Sequence, residues 1–124
     1  MDIDSLAKSE FPSITNLPNL FQLFIAQLIK DFSSANFDSD FITQLKPDVQ
    51  EIQFAIIDQL EKVEKISKTK LRNLLYRIDI SEKQILKLSK NKTENSFNEI
   101  LSELIIKRVL QKVIFKEYYK TKAK

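Results

Sequence analysis

Residues 97–119 read FNEILSELIIKRVLQKVIFKEYY, the longest run in this 124-residue chain that combines helix-forming residues with large apolar side chains. Ser96 stands three residues before Glu99, which is the spacing of a capping box. In a capping box the hydroxyl and the carboxylate each bond a backbone N–H that has no partner within the helix. The run is therefore predicted to be a helix that begins near Ser96, with Thr93 and Asn95 as alternative caps.

The apolar residues of this run do not keep to one side of the predicted helix. At 100° per residue, one group lies on one side and a second group largely on the other. The first group is Phe97, Ile100, Leu101, Leu104 and Ile105, and the second is Ile106, Val109, Leu110, Val113 and Ile114. Such a helix needs different neighbours along its length, so we predict that it lies at the centre of a helical bundle. The alternative is a strand over residues 113–119, which are β-branched and aromatic but have no visible partner strand.

An earlier helix is predicted from Pro18 to about Phe32, with Thr15 or Asn16 near its cap. One broad apolar stripe runs along it, formed by Leu17, Leu20, Phe21, Phe24, Ile25, Leu28 and Phe32. Leu23 falls on the opposite side of the helix. We therefore take Leu23 as the candidate contact with a partner protein.

The middle of the chain contains the clearest helical period, which follows Pro47. Its members are Val49, Ile52, Ile56, Leu60 and Val63, and a short helix carrying Phe41, Ile42 and Leu45 is expected before it. Residues 47–78 form one helix or two, and we favour a break at Ser67, because a continuous helix would be unusually long for so small a domain. A second capping box, Ser81 with Gln84, predicts a short helix that carries Ile85, Leu86 and Leu88.

The chain contains no glycine, the residue on which hairpins and phosphate-binding loops usually depend. We therefore predict an all-α protein, a compact antiparallel bundle of about five helices. The length predicts a single domain over residues 1–124. Within it, residues 1–15 are expected to be a loosely ordered lead-in, because Pro12 and scattered polar residues interrupt any period, and residues 120–124 are expected to be a basic tail.

The chain also contains no histidine and no cysteine, which removes the common proton shuttle, the thiol nucleophile and the usual transition-metal ligands. Serine and lysine are abundant, but a strained nucleophile turn normally needs glycine beside the serine. We predict that the protein is not an enzyme and that it has no catalytic, cofactor-binding or metal-binding residues and no small-molecule substrate. The acidic start and the absence of a long apolar run predict a cytoplasmic protein without membrane contact.

Charge is unevenly distributed along the chain. Residues 1–64 carry 11 acidic and 4 basic side chains, a balance of −7, whereas residues 65–124 carry 6 acidic and 16 basic side chains, a balance of +10. An asymmetry of this kind can indicate an anionic partner. The candidate contacts are Lys107, Arg108, Lys112, Lys116 and Lys120. Against this interpretation, 17 of the 20 basic residues are lysines, which is typical of a general compositional bias.

Two functions follow from these observations. The leading hypothesis is a non-enzymatic helical module that contacts another protein or a second copy of itself. The alternative is a small basic protein that associates with nucleic acid by contacting phosphates through its C-terminal half.

Overall fold

The computed structural model describes residues 1–12, 17–64 and 67–122. These ranges contain six α-helices, a 3₁₀ helix over Asp40–Gln44 and no strand. The α-helices are α1 (Ile3–Glu10), α2 (Leu20–Ser34), α3 (Val49–Glu64), α4 (Lys68–Ile78), α5 (Glu82–Asn91) and α6 (Phe97–Lys122). The predicted all-α bundle with a central C-terminal helix is confirmed.

Helix α6 is the central element of the bundle. It runs for 26 residues and packs against α2, α3, α4 and α5. Side chains from both predicted apolar groups are buried, namely Ile100, Leu101, Ile105, Ile106, Val109, Leu110, Val113 and Ile114. Leu104 is only partly buried, and Phe97 is half exposed. The alternative of a strand over residues 113–119 is wrong, because these residues lie within α6.

The start of α6 is held by the predicted capping box. The Ser96 hydroxyl accepts the Glu99 N–H at 3.2 Å, and the Glu99 carboxylate accepts the Ser96 N–H at 3.2 Å. One turn later the fully buried Ser102 donates its hydroxyl hydrogen to the Glu99 carbonyl at 2.7 Å. The side-chain amide of Gln53 in α3 donates to Ser102 Oγ at 3.1 Å. This hydrogen bond joins α3 to α6 and satisfies a hydroxyl that would otherwise be buried without a donor.

Helix α2 begins two residues later than predicted. Its cap is Asn19, whose φ of 60° is left-handed, a conformation that asparagine tolerates better than most residues. The predicted caps, residues 15 and 16, lie outside the described residues. Phe24, Leu28 and Phe32 of the predicted stripe are fully buried. The ring of Phe32 also meets Phe37 and Phe41 edge to face, with centroids 5.3 and 5.7 Å away, so the segment that follows α2 packs against it.

The predicted break between α3 and α4 is confirmed. Helix α3 ends at Glu64, and Ser67 caps α4 by accepting the Lys70 N–H at 3.2 Å. Ile52, Ile56 and Leu60 of α3 are fully buried, as the period predicts. The break lets α4 turn and pack against both α2 and α3.

Residues 1–12 of the expected lead-in contain helix α1, which the sequence does not predict, and residues 13–15 lie outside the described residues. Helix α1 is capped by Asp2, whose carboxylate accepts the Ser5 N–H at 2.7 Å. That hydrogen bond is the main reason that the pKa of Asp2 lies below its ordinary value. Two backbone hydrogen bonds fasten the segment to the start of α3, from Ile3 N–H to Pro47 O and from Val49 N–H to Met1 O, both at 2.9 Å.

The predicted basic tail is also partly helical. Helix α6 continues through Lys122, and residues 123 and 124 lie outside the described residues. None of the described helices is long and apolar enough to cross a membrane.

Candidate functional site

Helices α4 and α5 are joined by a short turn over residues 79–81 and line an open apolar groove. We call the two helices and their turn the hairpin. The groove has a volume of about 470 Å³. One wall is formed by residues of α4, namely Lys68, Leu71, Arg72 and Leu75. The other is formed by Glu82, Ile85 and Leu86 of α5, with Phe97 at the start of α6. We call this site the α4–α5 groove.

The spacing of the lining residues explains why they face one another. On α4 they stand at positions i, i+3, i+4 and i+7, and on α5 at i, i+3 and i+4, so each set forms one stripe along its helix. The core side of α4 is a different stripe, on which Leu74 and Ile78 are fully buried. Helix α4 therefore has one apolar side in the core and a second apolar side in the groove.

The turn between the two helices is fixed without glycine. Asp79 adopts the left-handed conformation at φ 71°, and the next residue, Ile80, donates its N–H to the Leu75 carbonyl at 2.9 Å. Ile80 is also buried, which anchors the turn to the core. Ser81 then caps α5, accepting the Gln84 N–H at 3.3 Å while the Gln84 side chain accepts the Ser81 N–H at 2.8 Å. These contacts set the angle at which α5 leaves α4.

Two large apolar side chains in the groove are open to solvent. Leu86 is 61% exposed and Phe97 is 50% exposed. Single exposed apolar residues are ordinary, but these two lie beside Leu71, Leu75 and Ile85 and form one continuous apolar surface with them. Helix α5 has no fully buried residue. Leu71, Leu75 and Ile85 are partly buried against the core, so Leu86 and Phe97 are the part of this surface that is left in water.

The charged residues around the groove are mainly basic. Lys68 and Arg72 line the α4 wall, and Glu82 is the acidic residue in the lining. Lys68 and Arg72 are exposed, and neither forms an ion pair with another residue in the described part of the chain. The groove therefore combines an apolar floor with uncompensated positive charge on one wall.

The five basic residues that the sequence marked on α6 do not share one open surface. Three of them pair with carboxylates of the chain itself: Lys107 with Glu10 and Glu103, both at 3.3 Å, Arg108 with Asp79 at 3.0 Å, and Lys112 with Asp31 at 2.9 Å. The other two, Lys116 and Lys120, are exposed. Most of the positive charge predicted to meet an anionic partner is thus used to hold α6 against its neighbours.

Lys107 belongs to a small ion-pair network beside a polar cleft of about 250 Å³ between α1, α3 and α6. Burial alone would raise the pKa of Glu103, but a 2.7 Å hydrogen bond from Lys92 and the charge of Lys107 outweigh burial and lower it. Burial would lower the pKa of Lys107, and the charge of Glu103 outweighs that effect and raises it. Both groups therefore stay ionised and stabilise each other, which indicates a structural network. The described residues include no cluster of acidic side chains able to hold a metal ion.

Leu23 is not the exposed apolar residue that the α2 stripe predicts. It is partly buried, packs against the core and lies beside Val113 and Lys116 of α6 in a shallow depression. The prediction was based on a single apolar stripe with a single neighbour. In the structure α6 also covers the side of α2 that carries Leu23.

Sequence reasoning missed the two exposed residues of the groove. The apolar pattern of residues 97–119 predicts that Phe97 is buried, and the short helix after Ser81 groups Leu86 with Ile85 and Leu88 without predicting that it is exposed. One signal was available: these three apolar residues of α5 spread over more of the helix circumference than one neighbour can cover. A helix of ten residues with so wide an apolar arc is expected to leave part of it open.

Comparison with known protein families, with curated proteins and with solved structures found no match to this chain.

Proposed function

We propose that this protein is a non-enzymatic interaction module and that the α4–α5 groove binds a helix of another protein. The observation that carries the proposal is the solvent exposure of Leu86 and Phe97 within a continuous apolar surface. Burying that surface against a partner is favourable, because apolar area removed from water contributes roughly 25 cal/mol per Å².

The shape of the groove fits a helix. Its walls are two helices of 11 and 10 residues, each about 15 Å long, which corresponds to roughly three turns. A partner helix lying between them would complete a three-helix contact, with apolar side chains at i, i+4 and i+7 entering the groove. Bundles commonly build binding sites in this way, between the faces of neighbouring helices.

The chemistry of the groove supports binding more than catalysis. Its lining contains Lys68, Arg72 and Glu82 as the ionisable groups, beside five apolar side chains. The chain has no histidine or cysteine to act as a base or nucleophile near neutral pH.

The alternative function, association with nucleic acid through the C-terminal half, has less support from the candidate contacts on α6. Phosphate binding needs several free cations on one surface, and Lys107, Arg108 and Lys112 are paired with carboxylates of the chain. Breaking those pairs would remove contacts that join α6 to the rest of the bundle.

Site-specific photo-crosslinking tests the proposal. A photo-reactive amino acid at position 86 should crosslink one protein partner in the cells that express the chain, whereas the same group at Phe54 should not. Phe54 is a matched control, because it is also a large apolar residue on a helix and is 64% exposed, but it lies on α3 outside the groove. The purified partner should then bind the wild-type chain.

Substitution completes the test with the purified proteins. Leu86→Asp should weaken binding at least about tenfold, because charging an apolar anchor in the centre of an interface removes more than the roughly 1.4 kcal/mol that a tenfold change represents. Phe54→Asp should leave the affinity unchanged. Equal losses for both variants, or none for Leu86→Asp, would contradict a function for the groove.

A further inference from the structure

We infer that the α4–α5 groove selects an acidic amphipathic helix, with Asp or Glu flanking the apolar anchors. This inference rests on the proposed function and names the chemistry of the partner. It is carried by the charge around the groove, which is of one sign along the wall formed by α4.

The charge of the hairpin is strongly biased. Residues 68–91 contain seven Lys or Arg and two Asp or Glu, and α4 itself contains no acidic residue. Of the two acidic residues, Asp79 is paired with Arg108 of α6. A helix that approaches this hairpin therefore meets a positive potential, which favours and accelerates the approach of an acidic one.

The basic side chains nearest the anchors are free to meet a partner. Lys68 and Arg72 stand one turn apart on α4, on either side of Leu71, and both are exposed. Lys70 differs from them, because its ammonium lies 5.7 Å from the centre of the Phe37 ring and is directed to the far side of α4. Arg72 in particular can bind a carboxylate through two parallel N–H donors, which makes it a selective contact for Asp or Glu.

Glu82, the acidic residue of the groove, lies at the end of the groove where the turn joins α4 to α5. Glu82 is the first residue of α5, directly after the turn, whereas Lys68 is the first residue of α4, about 15 Å away along that helix. The wall formed by α4 and the end of the groove near Lys68 are thus basic, whereas the end near the turn carries the acidic Glu82. We expect the partner's carboxylates to lie along α4 towards Lys68.

A second copy of the chain fits the groove less well. The acidic half offers Phe54 on α3, flanked by Glu51 and Asp58, as an exposed aromatic residue. Asp58 is already paired with Lys62 at 3.0 Å. A single aromatic side chain would leave most of the groove's apolar surface uncovered, so a helix with several anchors is the better occupant.

A peptide selection tests the inference. A displayed library of 16-residue peptides would keep Leu or Phe at i, i+4, i+7 and i+11 and vary the other positions among Glu, Lys, Gln and Ala. The full chain is the bait, and the Leu86→Asp variant removes peptides that bind elsewhere. We expect the retained peptides to carry a net negative charge and to bind less tightly as salt rises.

The best acidic peptide then gives a second measurement. Lys68→Gln and Arg72→Gln should each weaken its binding about two- to fivefold, the range expected for a solvent-exposed charge pair. Lys116→Gln, which removes an exposed charge on α6 outside the groove, should leave the affinity unchanged.

The outcomes separate the inference from the proposed function. Retained peptides that are neutral or basic would overturn the preference for an acidic helix while leaving the groove as a binding site. No peptide that depends on Leu86 would overturn both. A dimer of the chain that dissociates on Leu86→Asp would overturn the inference in favour of a second copy.

Discussion

The ammonium of Lys112 lies 2.9 Å from a carboxylate oxygen of Asp31, a residue 81 positions earlier in the chain. Both side chains are largely buried, with 22% of Lys112 and 7% of Asp31 exposed. Lys112 also donates to the Arg77 carbonyl at 3.2 Å, and Asp31 accepts a hydrogen bond from Gln27 at 3.1 Å. One lysine of α6 thereby joins α2 and the last turn of α4 to the central helix.

The first prediction concerns this pair. Lys112→Met should destabilise the fold by about 3 kcal/mol, because it leaves the Asp31 carboxylate buried without a counter-charge. Urea denaturation would measure the loss. Lys116→Met is the control on the same helix, and because Lys116 is exposed it should change stability by less than about 0.5 kcal/mol.

The double variant Asp31→Leu with Lys112→Met distinguishes the pair from packing alone. It should recover most of the lost stability, since two apolar groups can replace a buried ion pair at little cost. If the double variant is as unstable as the sum of the two single variants, the ion pair is not the source of the effect.

The second prediction uses two neighbours in α6. Ile105 is fully buried, whereas Leu104 is partly exposed, although the sequence placed both in the core. Ile105→Ala should cost about 2–5 kcal/mol, the range for creating a cavity in a packed core. Leu104→Ala should cost less than Ile105→Ala, because part of its side chain already lies in water. Equal losses in thermal or urea unfolding would contradict the packing of α6 described above.

The parts of the fold that were predictable from the sequence are those that depend on local chemistry. The capping boxes at Ser81 and Ser96, the cap at Ser67 and the period of α3 each involve residues within a few positions of one another. Helix α1 was missed because its stability depends on a distant segment, through the two backbone hydrogen bonds that join residues 1–3 to residues 47–49. No local pattern reports such a contact.

The candidate site was less predictable, for the same reason. Charge could be counted along the sequence, but the pairing of Lys112 with Asp31 or of Lys107 with Glu10 depends on how the helices pack. Likewise, the exposure of Leu86 depends on how α5 is seated against α6. The sequence therefore indicated a basic C-terminal half and could not distinguish its free cations from its paired ones.

The third prediction concerns pH. The pKa of Glu103 is lowered by Lys92 and Lys107 despite burial, so the folded protein binds this proton less tightly than the unfolded chain does. The resulting stabilisation is present above the ordinary pKa of 4.5 and is lost as pH falls through the lower, folded-state pKa. Glu103→Gln should therefore be less stable than the wild type at pH 7, and the difference should shrink below pH 4.5.

Unfolding in urea at several pH values would measure this difference. Glu61→Gln is the control, because Glu61 is exposed on α3 and has no ion pair among the described residues. A gap between Glu103→Gln and the wild type that stays constant from pH 7 to pH 3 would show that the carboxylate charge is not what stabilises this contact.

The fourth prediction concerns the stability of the groove wall. Because α5 has no fully buried residue, it depends on its cap, and Ser81→Ala should destabilise it by about 1 kcal/mol. Amide hydrogen exchange in α5 should then be about fivefold faster, while α6 is unchanged. Ser89→Ala in the same helix is the control: its hydroxyl bonds the Ile85 carbonyl within the helix, a contact that adds little stability. Faster exchange in α6 as well would mean that α5 does not open separately.

The last prediction separates the two functional classes. If α6 contacted phosphates, binding of single- or double-stranded oligonucleotides should be detectable at about 50 mM salt, where phosphate-driven association is strong, and should fall steeply with added salt. We expect α6 to contribute no such contact, so that Lys116→Gln with Lys120→Gln leaves any oligonucleotide binding unchanged, because Lys107, Arg108 and Lys112 are held by carboxylates of the chain. Lys116 and Lys120, the exposed pair, are too few to give a strong phosphate contact. Binding that weakens on Lys116→Gln with Lys120→Gln, equally for all sequences, would favour the nucleic-acid alternative over a protein-binding groove.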